Sequence, residues 1–210
     1  MNSYAIKIII SNFYKFLFPI KGSNNRIINK GKCYNLKFEI VGNNNQITIE
    51  NSFIINCKIY IRGSNNLVYI GKNCHINNTF FRFEDDNGII KIGKETSIEG
   101  ASLEILEKDK SIIIGNDCMF SSDININISD SHSILSVETG ERINYGKNII
   151  IGNHVWLGRD VTILKGIEIK NNSIVGTKSL VTKNVEENAI YVGIPARKVK
   201  DNVDWKKQRI

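Results

Sequence analysis

The chain has 210 residues and a formal net charge of +7 at pH 7, enough for one main domain with a buried core and too short for two large domains with a linker. Hydrophobic residues make up 41% and charged residues 23%, and two prolines with sixteen glycines exclude a collagen-like or proline-rich disordered chain. Lys and Arg outnumber Asp and Glu by 28 to 21, which favours anionic partners such as membrane surfaces, phosphorylated cofactors or acidic sugars. Nucleic acid is set aside, because the basic residues are spread along the chain and no recognition motif appears.

The opening stretch Tyr4–Ile20 is apolar but broken by Lys7, Ser11, Asn12 and Lys15, so it is not a clean membrane span of about 20 residues. It lacks the basic head, unbroken apolar run and small-residue cleavage site of a secretory signal, and a cytoplasmic protein is expected. Ile6, Ile9, Ile10, Phe13 and Leu17 recur at helical spacing. Residues 1–20 therefore read as an amphipathic helix that caps the first coil of a repeat domain. Its mixture of Lys with aromatic and aliphatic residues makes peripheral association with the inner face of the membrane the alternative role.

Repeats begin at once. Gly22-Ser-Asn-Asn-Arg-Ile-Ile, Gly42-Asn-Asn-Asn-Gln-Ile-Thr-Ile and Gly63-Ser-Asn-Asn-Leu-Val-Tyr-Ile start 20 and 21 residues apart. Ile70-Gly-Lys-Asn-Cys, Ile92-Gly-Lys-Glu-Thr and Ile114-Gly-Asn-Asp-Cys continue at spacings of 22. After residue 150 the period tightens to six, with aliphatic residues at 151, 157, 163, 169, 175 and 181 and small or β-branched ones four positions after each. A six-residue period fits neither an α-helix nor a long alternating strand. It fits a short strand plus a corner, three per triangular coil, stacked as parallel sheets. Residues 21–192 are therefore an all-β domain, a parallel β-helix, with Asn and Gly at corners that need left-handed backbone. Coils longer than 18 residues predict bulges, with Thr79–Asp86 and Ser102–Lys110 as the expected excursions. Residues 193–210 read as a short basic C-terminal tail, helical over Val199–Ile210, whose one aromatic residue, Trp205, docks on the coil, packs against a neighbouring subunit or contacts ligand.

The four cysteines, Cys33, Cys57, Cys74 and Cys118, are far apart and lack zinc-finger spacing, so neither a metal site nor a disulfide framework is signalled. Cys74 and Cys118 fall at the small-residue position of their hexads and serve as compact core filler. The three histidines are more informative. His75 and His154 adjoin core positions and point outward as surface histidines, whereas His132 lies in Ser-Asp-Ser-His-Ser, where the hexad pattern lapses between Ile114 and Ile151. The lapse predicts a loop ejected around 130–147, and loops on rigid scaffolds carry function disproportionately.

The run Ile151-Gly-Asn-His-Val-Trp-Leu-Gly-Arg-Asp-Val-Thr-Ile-Leu-Lys-Gly-Ile resembles the signature of the hexapeptide-repeat acetyltransferases. Ser129-Asp-Ser-His-Ser-Ile, Thr139-Gly-Glu-Arg-Ile-Asn and the hexads around Trp156 are similar to bacterial capsule O-acetyltransferases that act on sialic-acid polymers. The resemblance spans roughly Ser111–Trp205; before that, only the repeat character is shared. It implies a left-handed coil, acetyl-CoA as donor, a carbohydrate acceptor and a homotrimer with sites between adjacent subunits.

Acetyl transfer to a hydroxyl requires a base to take its proton, and a neutral imidazole with a pKa of about 6.5 suits that task. His132 is the candidate, supported by the resemblance, while Asp130 either orients its ring or caps a turn. No Cys or Ser nucleophile stands beside a base, so direct attack on acetyl-CoA is preferred to an acetyl-enzyme. Trp156 occupies an outward slot where a small residue would serve equally well, and the resemblance places it at the active site; an interface aromatic is the alternative. Gly158 and Gly176 leave backbone open for a pantetheine arm or else form tight corners. Tyr191-Val-Gly-Ile-Pro-Ala-Arg-Lys-Val resembles the segment near the adenosine end of CoA, with Lys178, Lys183, Arg197 and Lys198 as phosphate partners. The alternatives are an enzyme acting on a small soluble sugar or a nucleotide-linked amino sugar, and a non-enzymatic β-helix that binds a partner through its Asn-rich faces.

Overall fold

The structure, a computed structural model, describes Ile8–Ile10 and residues 20–210. The chain winds repeatedly through three parallel sheets, each forming one face of a triangular prism. The first face runs from Ile8–Ile10 and Arg26–Asn29 to Ile149–Ile151 and Glu168–Ile169. The second runs from Lys32–Tyr34 through His75–Asn77 and Trp156–Leu157 to Ile190–Gly193. The third runs from Ile20–Lys21 through Thr79–Phe83 and Ile124–Asn127 to Leu180–Val181.

The hexad positions do what their periodicity predicts. Ile151, Leu157, Ile163, Ile169, Val175 and Val181 are all buried, and so are Val155, Val161, Ile167, Ser173, Ser179 and Val185 four residues after each. Backbone groups pair with the adjacent coil, as where the Trp156 and Gly158 amides donate to the Ser173 and Val175 carbonyls at 2.9 and 2.7 Å. The two buried serines are satisfied: Ser173 donates to the Lys170 carbonyl and Ser179 accepts from the Gly193 amide, which meets the requirement that buried polar groups find partners. All four cysteines are free and buried, and burial pushes the Cys57 and Cys118 thiols up to about 11. That leaves them protonated packing groups at neutral pH.

Corners are made with left-handed residues. Asn24, Asn44, Asn65 and Asn87 stack in one column between the third and first faces, all with φ near 56–60°. Their side chains hydrogen-bond from coil to coil, Asn44 to Asn65 and Asn65 to Asn87 both at 3.2 Å. Asn73, Glu95, Asp117, His154, Asn172 and Asn188 form the equivalent column between the first and second faces, again with positive φ. Asn is the residue that tolerates this region best after Gly.

Three expectations are corrected. Thr79–Phe83 and Ala101–Ile105 are five-residue strands of the third face, with Phe81, Phe83, Leu103 and Ile105 buried, so neither excursion exists. The longer coils lengthen one face, whose period-two alternation keeps every hydrogen-bonding group in its ladder. Most of the N-terminal helix expected over 1–20 lies outside the described residues, but Ile8–Ile10 form a strand in register with Ile27, Ile28 and Asn29. The tail is not helical. Ala196–Lys200 folds back antiparallel on Ile190–Gly193, after a cis Ile194–Pro195 bond. The chain then runs back along the edge between the first and second faces, touching Asn188, His154 and Asp117 in turn.

One segment does leave the prism. Between Asn127 and Ile149 the chain departs from the edge where the third face meets the first, as the lapse in the hexads predicts.

Candidate functional site

The ejected loop is held by a network of charged and amide groups. Asn144, buried inside it, donates from Nδ2 to the Asp130 carboxylate and to the His132 carbonyl, both at 2.8 Å, and its Oδ1 accepts from the Ile134 amide at 2.8 Å. These bonds bracket His132, whose own amide donates to the Asp130 carbonyl at 2.7 Å. The backbone at His132 is thus fixed on both sides while its side chain stands exposed. Asp130 also takes the Lys165 ammonium. It holds the turn, and of the two expected roles the cap is the one its contacts support. The Lys165 and Asn144 bonds keep its carboxyl below the usual range.

Glu107 anchors the other end. It pairs with Arg142 and accepts the Gly146 amide at 2.9 Å. Burial pushes its pKa up, but the Gly146 and Arg142 bonds outweigh burial and lower it. Arg142 in turn reaches Asn144 Oδ1 at 3.1 Å. Ile134, Leu135, Val137, Ile143 and Tyr145 are all more than half exposed on this loop.

Trp156 stands on the second face, 37% exposed, pointing outward while Leu157 fills the core. Met119 and Ile174 flank it in register on the adjacent coils. The tail supplies a third neighbour. Trp205 is buried, and its ring lies 6.0 Å from that of Trp156 at 47°. On its other side it stacks on His154, with centroids 4.1 Å apart and planes 10° from parallel. His154 is therefore not the plain surface histidine expected. It does project outward, but Nδ1 faces Asp117 at 2.7 Å and Nε2 faces the Trp205 carbonyl at 2.9 Å. Burial raises the Asp117 pKa, and the Lys207 and His154 contacts more than offset that and lower it. His75 is exposed on the second face near Phe53.

The residues expected to bind the donor fall into two sets. Gly158, Gly176 and Lys178 lie at or beside the edge between the second and third faces, and Arg197 and Lys198 lie on the terminal hairpin of the second face. Lys183 comes after Leu180–Val181 at the edge between the third and first faces, the edge that carries the His132 loop. Lys178 pairs with Asp160 at 2.8 Å, and Lys198 pairs with Glu186 and Asp201, which raise its pKa. The glycines have a stacking reason of their own: a Cβ at Gly158 would meet the Thr177 nitrogen at 2.6 Å, and one at Gly176 would meet Val192 Cγ1 at 2.6 Å.

The same division separates His132 from Trp156. In a triangular prism the edge between the third and first faces lies opposite the second face, so one chain holds the two side chains on opposite sides. The sequence points to neither Glu107 nor Lys165 as builders of the loop, and it leaves His154 as a surface histidine and the role of Trp205 open. Arg142 and Asn144 fall in the Thr139-Gly-Glu-Arg-Ile-Asn block, the one signal that pointed toward them. Among the described residues no group of His, Cys, Asp and Glu is placed to hold a metal ion, and no helix is long and apolar enough to cross a membrane.

No protein-family model matches the chain. It is 41% identical over 147 residues to a polysialic acid O-acetyltransferase of Neisseria meningitidis, an alignment covering 60% of this chain and 68% of that one. It is 37% identical over 114 residues to a polysialic acid O-acetyltransferase of Escherichia coli, of which 37% is covered. Among solved structures, the polysialic acid O-acetyltransferase OatWY matches with a TM-score of 0.88 at 35% identity, covering 92% of this chain and 93% of that one. The polySia-specific acetyltransferase NeuO matches with a TM-score of 0.76 at 32% identity, covering 91% and 89%.

Proposed function

The chain belongs to the hexapeptide-repeat acetyltransferases, with their left-handed parallel β-helix, and is an O-acetyltransferase; we propose that it transfers acetyl from acetyl-CoA to a hydroxyl of a sialic-acid-containing surface polysaccharide, with His132 as general base. The observation that carries this reading is the exposed His132 on a turn pinned from both sides, in a chain whose relatives act on polysialic acid.

Neutral His132 takes the acceptor's proton as the hydroxyl oxygen attacks the thioester carbonyl. The tetrahedral intermediate carries an oxyanion that needs donors, and the Trp156 indole N–H is one. Collapse breaks the carbon–sulfur bond, and the His132 imidazolium returns the proton to the departing thiolate. Atoms and charges balance without a covalent enzyme intermediate. Lys178, Lys183, Arg197 and Lys198 neutralise the phosphates of CoA, and Gly158 and Gly176 keep the coil surface low beside the pantetheine arm.

Two copies are needed to assemble this constellation. A trimer about an axis parallel to the prism brings the loop edge of one subunit against the second face of the next, joining His132 and Lys183 to the partner's copy of the Trp156 face. The apolar side chains exposed on the loop are suited to that contact, since patches of this kind mark interaction sites. The acetyl-CoA requirement sets the reaction in the cytoplasm.

The test is to follow CoA thiol release from acetyl-CoA with sialic-acid polymers, other bacterial polysaccharides, free sugars and nucleotide-linked amino sugars. Polymer-dependent release, lowered about 10²- to 10⁴-fold in His132→Ala, is the expected result. Release with free or nucleotide-linked sugars alone would replace the polymer acceptor with a small one. Full activity in His132→Ala would overturn the base, and absence of acetyl-CoA binding would overturn the donor.

A further inference from the structure

We infer that Trp205 is a positioning residue for acetyl transfer: the C-terminal tail straps it across the second face so that its indole fixes the orientation of Trp156. The inference rests on the reading of Trp156 as part of the active site.

Trp205 is buried in a tail whose neighbours Asp204, Lys206 and Lys207 are exposed. Two reciprocal hydrogen bonds lock it to His154: its Nε1–H donates to the His154 carbonyl at 2.9 Å, and its own carbonyl lies 2.9 Å from His154 Nε2. The stacked rings add a third contact. His154 is itself held, because Asp117 Oδ2 lies 2.7 Å from Nδ1 and Asp204 Oδ1 lies 3.4 Å from Nε2. Beyond Trp205 the strap is tied again, where Lys207 reaches Asp117 Oδ1 at 2.6 Å and the Glu95 carbonyl at 2.8 Å. Val203 ties it on the near side through the Asn188 carbonyl at 3.0 Å.

All of this apparatus holds the Trp205 ring beside Trp156, which keeps part of its own surface exposed. The in-register neighbours Met119 and Ile174 offer the indole no second ring to pack against, and Met119 is unbranched and adaptable. Trp205 meets it at 47° with centroids 6.0 Å apart, a tilted geometry that aromatic pairs favour. With that wall in place, Trp156 presents its exposed part in a single orientation. A displacement of about 1 Å in such a group is enough to cost a large factor in rate. Because Trp205 is itself buried, it acts through Trp156 and does not touch the ligand.

The chain has only two tryptophans, which makes the test direct. Trp205→Ala is expected to lower kcat by roughly tenfold to a hundredfold, while Trp156→Ala/Trp205→Ala is no slower than Trp156→Ala, because the second change has nothing left to position. Trp205→Phe keeps a ring against both neighbours and recovers most of the rate. With Trp156 as the sole tryptophan, excited selectively over the seven tyrosines, acrylamide quenches it faster in Trp205→Ala than in Trp205→Phe. Losses that multiply in the double variant, or identical quenching of Trp156 in the two Trp205 variants, would overturn the inference. Full activity in Trp156→Ala with the quenching difference intact would instead remove Trp156 from the reaction and leave the contact standing.

Discussion

Asn144 does for the His132 turn what a disulfide or metal does in other loops: one buried amide joins Asp130, His132 and Ile134 at 2.8 Å each. Leaving such partners unmade costs about 1–3 kcal/mol for each buried group. The two carboxylates that tether this loop, Asp130 and Glu107, both have lowered pKa values in the folded chain. A depressed carboxylate stabilises the fold above its unfolded pKa, about 3.9 for Asp and 4.3 for Glu, and that contribution is lost as pH falls through the folded value. Between pH 6 and pH 3, hydrogen exchange corrected for intrinsic rates should therefore show the Ile134 and Gly146 amides losing more protection than the Trp156 amide, which is bonded coil to coil. Equal losses at all three would show that the carboxylates do not tether the loop. The loop that carries His132 was legible in the sequence because a strict period fails there. The His154–Trp205 pairing was not, since 51 residues separate the partners and no periodic pattern links a coil corner to an aperiodic tail.

Among the elements, the stacked corners set the tightest tolerance. Gly42 has φ +144°, and a Cβ there would lie 1.9 Å from the Gly63 carbonyl oxygen of the next coil. Gly42→Ala should therefore lower thermal stability by more than about 1 kcal/mol, read as a shift in the unfolding midpoint. An unchanged midpoint would mean that the coils are not stacked this closely. The glycine and asparagine repeats announced these corners, and the aliphatic hexads announced the core. The strand lengths were harder to read. A spacing of 20 to 22 is met equally well by a bulged corner or by a longer face, and Thr79–Phe83 and Ala101–Ile105 take the second course. Burying Phe81, Phe83, Leu103 and Ile105 favours the longer face, at about 25 cal/mol for each Å² of apolar surface removed from water. Period alone cannot register that preference.

At the scale of the molecule, the prism keeps His132 and Trp156 on opposite sides, so the proposed pairing of the two residues needs a second subunit. The sequence implied subunit-shared sites only through resemblance; the order of the three faces supplies the geometric reason. The most direct measurement mixes two inactive variants. His132→Ala and Trp156→Ala subunits, each inactive alone, are co-assembled at equal amounts and assayed for CoA release with a sialic-acid polymer. If each site takes its histidine from one subunit and its tryptophan from the next, random assembly restores about a quarter of the sites. Mixed oligomers that form and stay inactive would contradict the account, because they would place both residues in the same chain's site.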